Sequence, residues 1–290
     1  MAVSPAHVLG ELIGVFFEDT MKAPIAGFSK TRGLYFDTEG FRKARKTKKV
    51  TWADVNGNSH DLDYVIERGG SDDRIGVPVA FIELAWRRYT KHSKNKVQEI
   101  SGAVNPIAEK FAKEGPFKGA ILSGDFTATS LEQLHKERFH VLYVPFNKIV
   151  SAFGKHGLDI YFDESTSEKR LKEIVRQWKR TSPATLEAIR ATLCDSCAGQ
   201  IREFVKEIRM SVDRNLDFIV VLPLHGKEME FKGMSDAIEF IQTLSEVSDS
   251  GFPLHHLEVI VAYGNGTRID GRFVSREEAV DFIRSVVRSS

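Results

Sequence analysis

The sequence predicts an α/β protein, with a central mixed sheet flanked by helices, a helical middle and a C-terminal α+β domain. Three observations support this fold class. Apolar strand-like segments alternate with helical periodicity over the first 150 residues, the next stretch is helical throughout, and a strand-turn-strand-helix pattern then occurs twice. The expected domains are residues 1–165, 166–215 and 216–290.

The first predicted elements are a helix and three strands. Ser4-Pro5 indicates a helix start, because Ser is favoured as N-cap and Pro at the first helical position. The segment KVTWADVNGNSHDLDYVIERGG predicts two strands joined through Asn56-Gly57-Asn58. A third strand covers Val77 to about Arg87, and its continuous apolar character predicts a central strand buried on both faces.

Helices and strands then alternate. Ser93 is a candidate cap for a helix with Val97, Ile100 and Val104 in its apolar stripe. FKGAILSG and HVLYVPF are predicted strands, with the helix SLEQLHKERF between them. The expected order over the first 150 residues is therefore helix, three strands, helix, strand, helix, strand.

Two carboxylates stand out within the predicted strands. Asp63 precedes the apolar run Tyr64-Val65-Ile66, and Glu83 lies near the end of the third strand. If those strands are neighbours, the carboxylates converge, and a buried carboxylate is costly unless it is paired or binds a cation. Oxygen ligands suit Mg²⁺, which can activate water at a phosphodiester. Asp61 is the rival to Asp63, and a strand-end ion pair or a buried salt bridge is the alternative to metal binding.

Basic residues are concentrated near this pair, although the net charge is only +1. FRKARKTKKV has six basic residues and WRRYTKHSKNK has five Lys or Arg, and neither stretch contains an acid. Such stripes indicate an anionic partner, two solvated faces being the alternative, and next to a metal site they are expected to hold a nucleic acid backbone. The candidate DNA contacts are Arg42, Lys43, Arg45, Lys46, Lys48, Lys49, Arg88, Lys91 and His92.

The element order and the Asp63…Glu83 pair resemble the PD-(D/E)xK nucleases, which have the restriction-endonuclease-like fold. The resemblance covers roughly residues 5–150, and IELAWRRYTKHSKNKVQEI also resembles a stretch of type II restriction enzymes. It implies a Mg²⁺-dependent endodeoxyribonuclease with Asp63 and Glu83 as catalytic metal ligands. A structure-specific or repair nuclease of the same fold, or an inactive DNA-binding protein on it, is the alternative.

The sequence departs from the family motif at Ala85, where the resemblance implies a catalytic Lys. Arg87 lies on the same strand face as Glu83, and Lys94 or Lys96 could reach the site from the next helix. A helix Lys is the preferred substitute. Nucleases of this fold also often lend an acid from the first helix, for which Glu11 and Glu18 are candidates, Glu11 being taken as a third metal ligand.

The rest of the chain points to protein contacts. Residues 216–290 have seven Lys or Arg against twelve Asp or Glu, a net charge of −5, which makes this domain a poor binder of DNA backbone. We expect it to form a homodimer or to contribute to target recognition, the alternative being that it packs onto its own nuclease core.

Two further features bear on location and redox state. No segment reaches the roughly 20 apolar residues that span a bilayer, and no signal peptide is visible, so a cytoplasmic protein that does not enter membranes is expected. Cys194 and Cys197 lie in a helical stretch without a second ligand pair, and are expected to be core thiols.

Overall fold

The computed structural model describes residues 4–213, 216–224, 226–247, 251–264 and 266–287, without the side chain of His92. The chain forms two compact units. The first comprises residues up to Phe111 together with Pro116–Ile208, and the second comprises Ala112–Gly115 and the residues from Arg209 onward.

The first helix, α1, covers Pro5–Thr31 and begins where the Ser-Pro pattern predicts. The hydroxyl of Ser4 accepts the backbone N–H of His7 at 3.2 Å, which satisfies one of the N–H groups left open at a helix start. The helix lies on one face of the central sheet, where Gly10 and Gly14 face the side chain of Trp86.

The central sheet of the first unit is mixed, as the sequence predicts, and has the strand order β1-β4-β5-β6-β7. Strand β4 pairs antiparallel with β1 and β5, whereas β5, β6 and β7 are parallel. The strands are β1 (Tyr35–Thr38), β4 (Tyr64–Arg68), β5 (Val77–Arg87), β6 (Phe117–Gly124) and β7 (His140–Pro145).

The predicted hairpin forms, but it is not part of the central sheet. Strands β2 (Val50–Ala53) and β3 (Ser59–Leu62) pair only with each other and make a two-stranded ribbon. The chain leaves this ribbon at Asp63 and enters the central sheet at Tyr64, so the second predicted strand is divided into β3 and β4. Strand β1 was not predicted.

Three helices complete this α/β layer arrangement. They are α2 (Ser93–Lys110), α3 (Ala128–Lys136) and α4 (Phe146–Gly154). Apolar residues of α2 such as Val97 and Ile100 pack on Phe81 and Ala85 of β5, on the face of the sheet opposite α1. Ser93 is the first residue of α2, and its hydroxyl donates to the carbonyl of Thr90 at 2.7 Å.

The helices of the middle region belong to the first unit and pack beside its sheet; the unit ends at Ile208, within the last of these helices. It consists of α5 (Glu168–Arg180), α6 (Pro183–Ser196) and α7 (Ala198–Val212). The ring of Trp178 in α5 lies 4.6 Å from Phe153 of α4 and 5.8 Å from Phe16 of α1, centroid to centroid. Apolar burial of this kind joins α5 to both helices.

The second unit has the repeated strand-strand-helix order that the sequence predicts. The first repeat is β8 (Leu216–Pro223), β9 (Met229–Phe231) and α8 (Met234–Thr243), and the second is β10 (Leu257–Tyr263), β11 (Arg268–Phe273) and α9 (Arg276–Val287). The four strands form one antiparallel sheet, β11-β10-β8-β9, and both helices pack on the same apolar face. Among the described residues, no helix is both long and apolar enough to cross a membrane.

Candidate active site

The structure brings Asp63 and Glu83 together where the ribbon meets strand β5. Tyr64 pairs with Ile82 across the antiparallel β4–β5 ladder, which places Asp63 beside Glu83. The backbone N–H of Asp63 donates to Oε1 of Glu83 at 3.3 Å, and the N–H of Leu84 donates to Oδ2 of Asp63 at 2.6 Å. Each carboxylate thus accepts one backbone hydrogen bond from the other's strand.

The environment of this carboxylate pair is unfavourable for two negative charges. Glu83 is only 7% exposed, and burial, followed by the charge of Asp63, raises its pKa to about 8. Burial also raises the pKa of Asp63. Among the described residues, no hydrogen bond reaches Oδ1 of Asp63 or Oε2 of Glu83, so each carboxylate keeps an oxygen for another ligand.

Lys96 is the cation that the structure places near the pair. It extends from the first turn of α2, its side chain is 21% exposed, and its charge opposes the pKa increase of both carboxylates. Its ammonium lies 3.3 Å from Oε2 of Glu99. Ala85, two residues after Glu83, is buried in the apolar cluster that α2 covers.

The other two candidates for this role are Arg87 and Lys94, and Arg87 reaches the same Glu99 oxygen as Lys96. Arg87 donates to the carbonyl of Trp86 at 3.0 Å, and its guanidinium lies 3.9 Å from Glu99. Lys94 is exposed. Of the three cations, Lys96 is the one whose charge lowers the pKa of both Asp63 and Glu83, which makes it the preferred candidate.

Among the acids of the first helix, the structure places Glu18 near the pair instead of Glu11. Burial, followed by the charge of Asp63, raises the pKa of Glu18. Glu11 is exposed and lies 3.1 Å from the ring of His7. The two positions are seven residues apart, roughly 10 Å along a helix, so they cannot serve the same site. The choice of Glu11 as a ligand does not agree with this geometry.

Asp61, the rival of Asp63, faces away from the pair. It is exposed and accepts hydrogen bonds from Lys49 at 2.5 Å and Thr51 at 2.7 Å.

In the sequence, the only signal for Glu18 is its position on the polar face of α1. The structural link is the hydroxyl of Tyr64, which donates to the carbonyl of Glu18 at 2.7 Å and fixes that turn of α1 beside Asp63.

Two arginines predicted to contact DNA are internal structural groups, so that prediction is wrong for them. Arg42 is 2% exposed and donates to Asp37 at 2.7 Å and to both oxygens of Glu67 at 2.6 and 2.9 Å. Arg45 donates to the two oxygens of Asp37 at 2.9 and 3.0 Å. Because Asp37 and Glu67 are buried on the paired strands β1 and β4, they require these cations.

Arg88 is a third internal arginine among the predicted DNA contacts. Its Nε donates to the carbonyl of Phe162 at 2.8 Å, its Nη1 donates to Asp125, and its guanidinium lies 4.4 Å from the ring centroid of Phe146. The guanidinium is thereby fixed in a polar and aromatic cage, and the prediction of a phosphate contact is wrong for this residue too.

The predicted lysine contacts remain at the surface. Lys43, Lys49 and Lys91 are exposed and form ion pairs, with Asp73 at 3.3 Å, Asp61 at 2.5 Å and Glu164 at 3.0 Å. Lys46 and Lys48 are exposed without an ion pair among the described residues. The side chain of His92, the remaining candidate, lies outside the described part of the structure.

The donor set at the carboxylate pair fits a hard divalent cation with water ligands. Among the described residues, no group of three or more His, Cys, Asp or Glu side chains could hold a metal ion. A cation held by Asp63 and Glu83 would therefore take its other ligands from backbone, water or substrate oxygens. This is the usual arrangement for Mg²⁺, which dehydrates reluctantly.

Both cysteines are free thiols at the end of α6. The thiol of Cys194 donates to the carbonyl of Thr20 at 3.9 Å, and burial raises its pKa. Cys197 is fully buried.

Comparisons with known proteins add little to this description. No family model and no curated protein matches the chain. Among solved structures, the crystal structure of a protein of unknown function, AF1548, is similar at 12% identity and a TM-score of 0.29. The match covers 63% of this chain and 99% of that one, and at this TM-score it carries no argument about fold or function.

Proposed function

We propose that the protein is a Mg²⁺-dependent DNA endonuclease with a PD-(D/E)xK core, most like a type II restriction endonuclease. The observation that supports this is the placement of the half-buried Asp63 beside the buried Glu83, where burial, followed by the charge of Asp63, raises the pKa of Glu83 to about 8. A purely structural pair would be expected to have a cation hydrogen-bonded to both members, which the described residues do not provide.

The roles of the residues follow from their positions. Asp63 and Glu83 would hold the metal through their remaining oxygens, and Lys96 would stabilise the negative charge that develops on the phosphate during cleavage. The metal, when bound, would lower the pKa of a water ligand and neutralise phosphate charge. The exposed Lys46 and Lys48 would contact the DNA backbone.

Cleavage of supercoiled plasmid DNA tests the proposal. The wild-type protein should cut in Mg²⁺ and not in excess chelator, and Asp63→Ala and Glu83→Ala should each abolish cutting while DNA binding persists. Asp61→Ala is the matched control, because this carboxylate is two residues away but is exposed and paired with Lys49. Loss of cutting in the control alone, or cutting by either site variant at the wild-type rate, would contradict the assignment.

A DNA-binding protein on an inactive nuclease fold is the second candidate. The observation that favours it is Ala85, which is buried beneath α2 at the position where the family motif has Lys. Binding of duplex DNA with no metal-dependent cleavage would support this candidate. If cleavage does occur, discrete fragments would indicate a restriction enzyme, whereas a smear would indicate a nuclease without sequence preference.

The second unit would supply a homodimer contact, since cutting both strands of a palindrome requires two-fold symmetry. Its helices cover one face of the sheet, and the other face carries the apolar residues Phe218, Leu222 and Ile260. Ile260→Glu should lower the mass measured by light scattering from dimer to monomer. A wild-type monomer at micromolar concentration would exclude the dimer.

A further inference from the structure

The β2–β3 ribbon is directly joined to the candidate active site. Strand β3 ends at Leu62, and the next residue is Asp63. Whatever the ribbon contacts is therefore held at a defined distance from Asp63. From Asp63 to Asn58 the chain advances five residues, roughly 17 Å in an extended strand, which is about the length of five base pairs.

One face of the ribbon is fixed to the protein core. Trp52 lies 5.9 Å from Phe81 and 5.5 Å from Phe111, centroid to centroid, and Val50 and Leu62 are buried in the same cluster. The other face carries polar or small residues at the paired positions Thr51↔Asp61 and Ala53↔Ser59.

Hydrogen bonds to helix α2 fix the ribbon further. The ammonium of Lys110 donates to the carbonyl of Ala53 at 3.1 Å, and the N–H of Val55 donates to the carbonyl of Pro106 at 3.2 Å. The ribbon is thus held at both its packed face and its end, which limits its motion relative to the carboxylate pair.

The turn at the end of the ribbon is organised by one buried carboxylate. Asp54 accepts the backbone N–H groups of Asn56 and Asn58, each at 2.8 Å, and the amide of Asn58 at 3.1 Å. Its second oxygen also lies 2.9 Å from Nε2 of His60. Four polar contacts to one carboxylate make the turn rigid, and rigidity is what a side chain needs to distinguish between similar ligand groups.

Val55 and Asn56 are the turn residues whose side chains make no described hydrogen bond, whereas the amide of Asn58 donates to Asp54. Residues 55–59 are all exposed. Val55 is 49% exposed in a polar setting, and the amide of Asn56 has no hydrogen-bond partner in the described part of the chain. An Asn amide can make two hydrogen bonds to an adenine edge, and an apolar side chain can contact the methyl group of thymine.

The charges along the ribbon favour DNA as its partner. Lys46 and Lys48 are exposed, lie outside any described ion pair and precede Val50, at the end of the ribbon opposite the turn. Asp61 on the outward face is already neutralised by Lys49. A two-stranded ribbon also has dimensions that the major groove of B-DNA admits.

We propose that the turn of the β2–β3 ribbon reads base edges in the major groove of duplex DNA, with Asn56 contacting an adenine and Val55 a neighbouring thymine methyl. This inference rests on the proposed nuclease function, because it makes the ribbon the element that selects where the adjacent carboxylate pair cuts. The lysines before the ribbon would contact phosphates and contribute no sequence preference.

A binding selection tests the proposal separately from cleavage. Glu83→Gln protein, which is expected to be inactive but to keep the hydrogen bond from the Asp63 N–H, would be used to select duplexes from a randomised pool. The selected duplexes should share a position occupied by A·T pairs. Adding Asn56→Ala should reduce the preference for adenine there by about tenfold or more, since a bidentate base contact gives that discrimination.

Lys48→Ala is the matched control, because this exposed residue lies close in sequence but would contact phosphate. It should weaken binding to all selected duplexes by a similar factor and leave the base preference unchanged. Far-UV circular dichroism confirms that each variant is folded.

The possible results separate the two proposals. If Asn56→Ala retains the wild-type base preference, or if no preference appears at all, the ribbon does not read bases, whether or not the wild-type protein cuts DNA. If the preference appears and is lost with Asn56→Ala while wild-type protein never cuts in Mg²⁺, the ribbon assignment stands as that of a DNA-binding protein and the nuclease proposal fails.

Discussion

Two carboxylate pairs lie in the first unit, Asp37 with Glu67 and Asp63 with Glu83, and they have opposite relations to positive charge. Asp37 and Glu67 accept hydrogen bonds from the guanidinium of Arg42, and Asp37 also accepts from Arg45. Asp63 and Glu83 accept only backbone N–H groups in the described structure. The first pair is neutralised by the chain itself, whereas the second is left for a ligand to neutralise.

This difference separates a structural charge cluster from a candidate catalytic one. A buried ion pair with complete hydrogen bonding needs nothing further, and removing one partner leaves an unpaired charge. A buried carboxylate without a cation is held at a cost in stability, which is expected where binding depends on it. The raised pKa of Glu83 has the direction that such a cost implies, because burial and the charge of Asp63 both disfavour its ionised form.

The largest expected contrast is in stability. Glu67→Gln should lower the free energy of unfolding by roughly 3–5 kcal/mol, because it leaves the buried Arg42 without one of its two carboxylates. Glu83→Gln should leave that free energy unchanged or raise it, because the amide oxygen still accepts the Asp63 N–H and no charge is buried. Urea denaturation in metal-free buffer at a pH above 8 measures both, and a comparable loss in Glu83→Gln would make the second pair structural too.

A smaller contrast is expected among the three candidate cations, Lys96, Lys94 and Arg87. Lys96→Ala should slow single-turnover cleavage by about 100-fold or more, since it removes a charge positioned at the reacting phosphate. Lys94→Ala, two residues away and exposed, is the control and should remain near the wild-type rate, as should Arg87→Ala. Equal rates for Lys96→Ala and Lys94→Ala would remove Lys96 from this role.

The pH dependence of stability should also distinguish the two pairs. The pKa of Glu83 is raised from 4.5 when exposed to about 8 when folded, so its protonated form favours folding. Its contribution is complete below the unfolded value and is lost as the pH rises towards and past 8, by at most about 1.4 kcal/mol per pH unit. The metal-free wild type should lose stability over this range relative to Glu83→Gln, and parallel curves for the two proteins would contradict the raised pKa.

The smallest expected effect concerns the surface lysines. Replacing Lys46 and Lys48 with Ala should reduce the slope of log affinity for duplex DNA against log salt by about 0.9 for each contact, or about 1.8 together. The arginines of the first cluster lie too deep to contribute. An unchanged slope would show that neither lysine contacts phosphate.

Features encoded locally could be predicted from the sequence. The Ser4-Pro5 cap, the apolar run of β5, the β2–β3 turn and the repeated strand-strand-helix order all appear where the residues indicate. The convergence of Asp63 and Glu83 could also be predicted, because it requires only that two consecutive strands be neighbours.

What the sequence did not reveal depends on partners distant along the chain. In the sequence, Arg42 is one of several basic residues in the same stretch and nothing marks it as buried. The pairing of β1 with β4 brings Asp37 and Glu67 together at its guanidinium. Glu18 could not be preferred to Glu11, since both lie on the polar side of α1 and the distinction depends on where Tyr64 contacts that helix.

The binding of Mg²⁺ to the free protein at pH 7 tests the central claim most directly. Because the pKa of Glu83 is about 8 without metal, most molecules carry a proton there, and a cation that binds the carboxylate must displace it. Calorimetric titrations in buffers of different ionisation enthalpy should show release of close to one proton per Mg²⁺ bound, and none in Glu83→Gln. Binding without proton release, or identical binding by wild type and Glu83→Gln, would contradict the assignment of this pair as the metal site.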